Sequence, residues 1–218
     1  MADRRVFLKT ALRALGLTLV SGSGLSISRM SLAGSGLEIV KKGTPLKTLI
    51  NKDPARLDAS RLEPTPLEEF GTMGPTDHEV DLKRWRLSIS GLTERELSLS
   101  LAEIRALPAV EREVLQICPG VFANHGRWKG PDMEKLLDLA GVGPEASRIT
   151  ISGPEGRYKK TVRFPLDQVR KGRLLLAYQV NGVDLPMKHG RPLRLVAEGV
   201  YGYDWVKYVD RIRLEGSS

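Results

Sequence analysis

Apolar and polar positions alternate from Arg84 to Ser90, with Trp85, Leu87 and Ile89 on one side, and this period of two predicts a half-buried strand. Ser100-Leu101-Ala102-Glu103 has the spacing of a capping box and predicts a short helix that Pro108 closes. Val114-Leu115-Gln116-Ile117-Cys118 is a second strand. It stops at Pro119, which has no amide to give a ladder, and Gly120, which opens a backbone path closed to other residues. Val121 to Gly130 then reads as a loop carrying Asn124, His125, Arg127, Trp128 and Lys129. Pro131 in a first-turn position, followed by Leu136, Leu137, Leu139 and Gly141, predicts a second helix. Strands are expected at Arg148 to Ser152 and at Leu174 to Val180, the latter turning through Asn181-Gly182 into Val183-Asp184-Leu185. Leu193 to Ala197 and Trp205 to Leu214 complete a strand-dominated, mixed α+β domain.

The regular pattern fills only residues 81–218. From 34 to 80 the chain is punctuated by Gly and Pro and reads as an extended arm, ending in the stretch Thr65 to His78. That stretch is either a site loop whose glycine backbone approaches a ligand or a cap held by Phe70 and Met73. Residues 1–33 read as an export signal. Arg4-Arg5 with Phe7-Leu8-Lys9 behind them match the twin-arginine pattern, Ala14 to Val20 is apolar but far too short to span a bilayer, and Ser31-Leu32-Ala33 is a small-x-small cleavage site. The expected destination is the periplasm, through the twin-arginine export machinery, with the signal either removed or kept as a membrane tether.

Charge adds little to this outline. The formal net charge is +8, and the first 33 residues hold five cations against Asp3 alone, so the remainder carries only a mild, scattered excess. That excess argues against nucleic acid and suits either a small anionic ligand or plain solubility. The chain has one cysteine, Cys118, and it sits where a strand stops. In an exported protein a lone thiol has no intrachain disulfide partner, so it is shielded either by burial or by a soft metal bound to its thiolate. Arg194, on a strand running into a glycine-broken turn that returns toward Lys207, forms with it a cationic pair suited to a phosphate.

The strand ending in Cys118, the run Trp128-Lys129-Gly130, the Asn181-Gly182 hairpin, and His189-Gly190 with Pro192-Leu193-Arg194, followed by Tyr201-Gly202 and Trp205-Val206-Lys207, together resemble the molybdopterin domain of the sulfite oxidase family. That superfamily includes the periplasmic methionine sulfoxide reductase catalytic subunit. The resemblance covers Thr65 to Leu214. It implies a single β-rich domain and a molybdenum–molybdopterin cofactor with Cys118 as thiolate ligand of the metal. His189, Arg194, Trp205, Val206, Lys207 and Gly153 fall where the family contacts the pterin and its phosphate, and Thr72 and Gly74 of the arm loop would add contacts, largely through backbone. The implied chemistry is oxygen-atom transfer on a small oxyanion or sulfoxide-type substrate, in a pocket for which His125, Arg127 and Tyr203 are the candidates. Electrons would pass to or from a separate carrier, such as a c-type cytochrome or a membrane haem subunit. The family's dimerising domain would fall beyond Ser218, so a monomer is expected. Two other readings stand beside this one: a metal-free binding or assembly module on the same fold, and a cofactor-free enzyme using Cys118 as nucleophile with His125 or His189 as base.

Overall fold

The computed structural model describes residues 36–217, so the expected export signal lies outside the described residues. Two sheets dominate. The first has five strands in the order β4 (Leu97–Leu99), β3 (Leu87–Gly91), β13 (Arg211–Glu215), β7 (Arg148–Ser152) and β8 (Thr161–Pro165). The last strand therefore sits at its centre, parallel to β3 and antiparallel to β7. The second has four strands in the order β11 (Val183–Asp184), β10 (Gln179–Val180), β6 (Phe122–Pro131) and β5 (Ala109–Cys118). A two-stranded pair, β9 (Leu174–Ala177) with β12 (Arg194–Ala197), lies against β6, and the arm contributes a small parallel pair, β1 (Glu38–Ile39) with β2 (Leu57–Asp58).

Local chemistry accounts for several of these elements. Helix α1 (Leu101–Ala106) begins in a complete capping box: the Ser100 hydroxyl accepts from the Glu103 amide while the Glu103 carboxylate accepts from the Ser100 amide. Helix α2 (Met133–Ala140) is capped by Asp132 and stopped by Gly141, so Pro131 ends the preceding strand and is not its first residue. A third short helix, α3 (Leu166–Arg170), follows β8. Asn181 and Gly182 both take positive φ, 50° and 82°, which is the turn the hairpin expectation required.

Other expectations are corrected. The stretch Val121 to Gly130 is no loop. It is strand β6, paired with β5 residue by residue from Cys118↔Phe122 to Ala109↔Pro131. Both faces of this hairpin are covered. Val114 and Trp128 join the main core, whereas Leu115, Ile117 and Ala123 join a second core with Val40, Leu49, Leu57 and Leu62 of the arm. A strand buried on both sides carries no polar–apolar alternation, which is why the pattern failed there. The expected strand Trp205 to Leu214 holds only from Arg211. A 3-10 turn at Gly202–Asp204 and a positive φ of 58° at Tyr208 break the part before it. Leu174 to Val180 splits at Tyr178 between two sheets, and Trp85 lies outside β3.

The packing sets up the site. Fully burying one aliphatic side chain stabilises by about 1.5–3 kcal/mol, so the arm residues that cover Leu115 and Ile117 fix the β5–β6 hairpin firmly just before its turn. Cys118 stands at that turn, where both cores end.

Candidate active site

The Cys118 thiol is 5% exposed and opens on a cleft of about 250 Å³. Gly120, at φ 72°, carries the chain away from the sulfur. One wall is the arm loop Gly71–Pro75. It is clamped by Asn124 on β6, whose Oδ1 accepts from the Gly71 amide and whose Nδ2 donates to the Gly71 carbonyl, both at 2.9 Å. A Cβ on Gly71 would lie 2.4 Å from the Phe122 ring, so only glycine lets the loop come this close. The clamp places Met73 Sδ 3.9 Å from Cys118 Sγ.

The floor is cationic. The Arg194 guanidinium is buried, donates to the His189 carbonyl at 3.0 Å, and lies over the rings of Trp128 and Trp205 at 5.0 and 5.5 Å. Its Nε, and the Nε2 of buried His189, have no hydrogen-bond partner. Lys207 reaches the arm loop, donating to the carbonyls of Pro75 at 2.5 Å and Lys188 at 3.3 Å and to Thr72 Oγ1 at 3.4 Å. Lys160, at the foot of β8, donates to the Tyr203 carbonyl. Among the described residues no carboxylate lines this cleft. Burial pulls Arg194 down to about 10; burial and then the neighbouring Arg194 and Lys160 charges pull Lys207 down to about 8; burial also lowers Lys160. Arg194 and Lys207, held at this cost with no carboxylate lining the cleft, are arranged for an anion that enters from outside.

The expected site residues divide. Cys118, Thr72, Gly74, Arg194, Tyr203, Trp205 and Lys207 line the cleft together. His189 lies beneath it as the acceptor for Arg194. Val206 is buried and its carbonyl accepts from the Leu195 amide, while Gly153 packs against the Lys207 carbonyl; both support the floor without lining it. His125 and Arg127 are elsewhere. His125 is buried on β6 with Nδ1 donating to the Glu63 carbonyl, and Arg127 is tied to Glu113 on the far part of the hairpin. They were placed in the pocket on the expectation of a loop, and the strand turns them away from it.

The sequence reading missed Arg157, Tyr158, Lys159 and Lys160, which form the remaining wall. The available signal was a basic cluster straight after the turn Gly153-Pro154-Glu155-Gly156. It also missed Gln116 and Phe122 on the hairpin.

Nothing in the arrangement activates Cys118 as a nucleophile. Burial pushes the thiol up, with Lys160 opposing weakly, and neither histidine lines the cleft beside it. His189 is held neutral: burial, then the Arg194, Lys188 and Lys207 charges, bring it from 6.5 to about 4. Because its folded value is depressed, the stability this group contributes is complete above pH 6.5 and is lost as pH falls through 6.5 toward 4. A shift of this size corresponds to about 3 kcal/mol. In urea titrations of the cofactor-free protein at pH 7 and pH 4, His189→Gln is expected to lose less stability than the unaltered protein by up to that amount, and an equal loss in both would disprove the assignment.

A metal at Cys118 would have to bring most of its ligands with it, since among the described residues no three His, Cys, Asp or Glu side chains stand together. A soft thiol and a cationic floor with two orphaned buried nitrogens, on Arg194 and His189, fit a metal carried on an anionic, phosphate-bearing organic group.

Residues 73–217 match the oxidoreductase molybdopterin binding domain family. The protein-methionine-sulfoxide reductase catalytic subunit MsrP of Gluconobacter oxydans is 28% identical over 187 residues, covering 72% of this chain and 59% of that protein. The sulfite oxidase of Arabidopsis thaliana is 26% identical over 204 residues, covering 77% of this chain and 52% of that protein. Among solved structures, the sulfane dehydrogenase SoxCD of Paracoccus pantotrophus shares the fold at a TM-score of 0.61 and 20% identity, over 90% of this chain and 56% of that one. The chain thus spans less than two thirds of the length of each of these proteins. With the family match covering most of the chain and the cleft fitting the group, the chain belongs to the oxidoreductase molybdopterin binding domain family: it is a sulfite oxidase-like oxidoreductase whose cofactor is molybdenum-molybdopterin.

Proposed function

We propose that this chain is an exported oxygen-atom-transfer enzyme acting on a small oxyanion or sulfoxide-type substrate and exchanging electrons with a separate carrier. The observation that carries the reading is the meeting, in one cleft, of the chain's only thiol with a group of cations and no lining carboxylate among the described residues. Cys118 would ligate molybdenum through its thiolate; Arg194 and Lys207, with His189 beneath them, would hold the phosphate end of the cofactor; Thr72 and Gly74 would present backbone from the arm loop. When bound, the cofactor supplies a two-electron centre that gives or takes an oxygen atom.

The protein's own part is placement. The Asn124 clamp fixes the arm loop over the sulfur, so the mouth is bounded by Met73 on one side and Tyr203 on the other. Tyr203 is half exposed and stacked on Tyr201 at 5.4 Å and 18°, a flat wall for a small substrate. Of the expected substrate-side residues, only Tyr203 is retained. Cys118 being the single cysteine, this chain has none left for an iron–sulfur cluster, and a c-type cytochrome or a membrane haem subunit is the fitting partner. The relatives named for methionine sulfoxide reduction and sulfite oxidation favour these two substrate types, and the twin-arginine pattern favours export of the loaded, folded enzyme to the periplasm.

Elemental analysis tests the proposal. Protein expressed with residues 1–33 in a host that makes the cofactor is expected to carry close to one molybdenum per chain. Folded protein without molybdenum would favour the metal-free binding module instead.

A further inference from the structure

The cofactor accounts for the cations at the floor of the cleft but leaves one over. Among the described lining residues, Arg157 is paired with Asp77 through two contacts of 2.9 Å, and Lys159 is paired with Glu155 at 2.9 Å. Arg194, over the two indole rings, and Lys207, at the arm loop, are the cations that the reading above gives to the cofactor's phosphate. Lys160 remains, with the Tyr203 carbonyl as its one acceptor and no ion pair, in the same cleft as the Cys118 sulfur.

We propose that Lys160 is the substrate-anchoring cation of the cleft, binding a negatively charged oxygen of the substrate beside Cys118. The proposal rests on the oxygen-transfer reading above and selects, within it, oxyanions over neutral sulfoxides. The position is built to be rigid at its base: the Lys160 carbonyl accepts from the Gly153 amide at 2.9 Å, and the next residue, Thr161, pairs with Ser152 in the β7–β8 ladder. The side chain then crosses to the Gly202–Asp204 turn, where one ammonium hydrogen is committed to Tyr203 and the others are left for a ligand. That turn packs on the end of β5, where a Cβ on Gly202 would lie 3.2 Å from the Ile117 carbonyl, and this places the ammonium at the sulfur end of the cleft. Asp204, beside Tyr203 in sequence, influences Lys160 without an ion pair, so the cation is steadied and not neutralised.

A hydrogen bond to a full charge is worth about 10- to 100-fold in affinity, and a neutral sulfoxide draws much less from an ammonium than an oxyanion does. The test uses holoenzyme from a cofactor-competent host, unaltered and as Lys160→Met and Lys160→Arg. It reads molybdenum and pterin content, sulfate binding by calorimetry, and KM for nitrate and for dimethyl sulfoxide with a reduced viologen as donor. The expected result is unchanged cofactor content in Lys160→Met, sulfate affinity lower by about 10- to 100-fold, and a nitrate-to-dimethyl sulfoxide KM ratio higher by a similar factor, with Lys160→Arg restoring most of both. Loss of cofactor from Lys160→Met would overturn the proposal by making Lys160 a cofactor-holding residue. Equal changes on both substrates, unaltered sulfate affinity, or no sulfate binding by the unaltered enzyme would overturn it too. If the unaltered enzyme carries molybdenum but turns over neither substrate, the substrate reading fails separately and sulfate binding alone decides the role of Lys160.

Discussion

Cys118→Ser is expected to leave a folded protein with little molybdenum and turnover reduced by more than about 100-fold, since losing even a supporting hydrogen bond around a bound metal costs 10- to 100-fold and this removes a ligand itself. The exchange is nearly isosteric. The thiol is 5% exposed at the wall of the cleft and its near neighbour is the Met73 thioether at 3.9 Å, so the new hydroxyl lacks a strong acceptor there. An unsatisfied hydroxyl costs about 1–3 kcal/mol when fully buried, and its position at an open cleft reduces that to about 1 kcal/mol. Binding to the metal changes far more. A serine hydroxyl is a hard donor and gives up its proton much less readily than a thiol, so it replaces neither the softness nor the charge of a thiolate. Metal content, turnover and a urea midpoint measured on the same preparations separate the two effects. A variant that kept its molybdenum and lost less than tenfold in rate would remove Cys118 from the metal's ligands.

How far the site could be read in advance follows from how local its determinants are. The capping box at Ser100 and Glu103 and the Asn181-Gly182 turn depend on residues within a few positions of each other, and both were legible. That Arg194 and Lys207 meet in one cleft was legible because one strand and one turn join them. Strand β6 was not. Its polar residues are buried on opposite faces, His125 on the side of the second core and Asn124 under the arm loop at Gly71, and no pattern within residues 121–130 announces an arm that covers both. The misreading then carried over to His125 and Arg127, which are reasonable pocket residues on a loop and unreasonable ones on this strand. Lys160 was invisible for a different reason: it stands one residue before β8, and its meaning depends on Tyr203, 43 residues away, and on Cys118.

Arg194→Met separates holding the cofactor from holding the fold. Burial pulls the guanidinium down to about 10, a drop that corresponds to about 3 kcal/mol against keeping the charge in place. Set against that are a hydrogen bond to the His189 carbonyl, worth about 1.5–3 kcal/mol, and contacts with two indole rings worth about 2 kcal/mol together. The terms nearly cancel, and methionine can refill the slot between Trp128 and Trp205 with a thioether that suits aromatic edges. The cofactor-free variant should therefore lie within about 2 kcal/mol of the unaltered protein. Cofactor affinity has no such compensation. Losing a charge-assisted, forked contact to a phosphate is expected to weaken binding by about 100- to 1,000-fold, with Lys207 left as the remaining phosphate-binding cation. Since a ligand that binds only the folded state raises stability in proportion to the logarithm of its saturation, the unaltered protein should melt well above its cofactor-free form while the variant's two forms melt close together. Equal gaps between loaded and cofactor-free melting temperatures in both proteins would mean that Arg194 does not hold the cofactor; a variant that fails to fold would mean that the buried charge is needed for the structure itself.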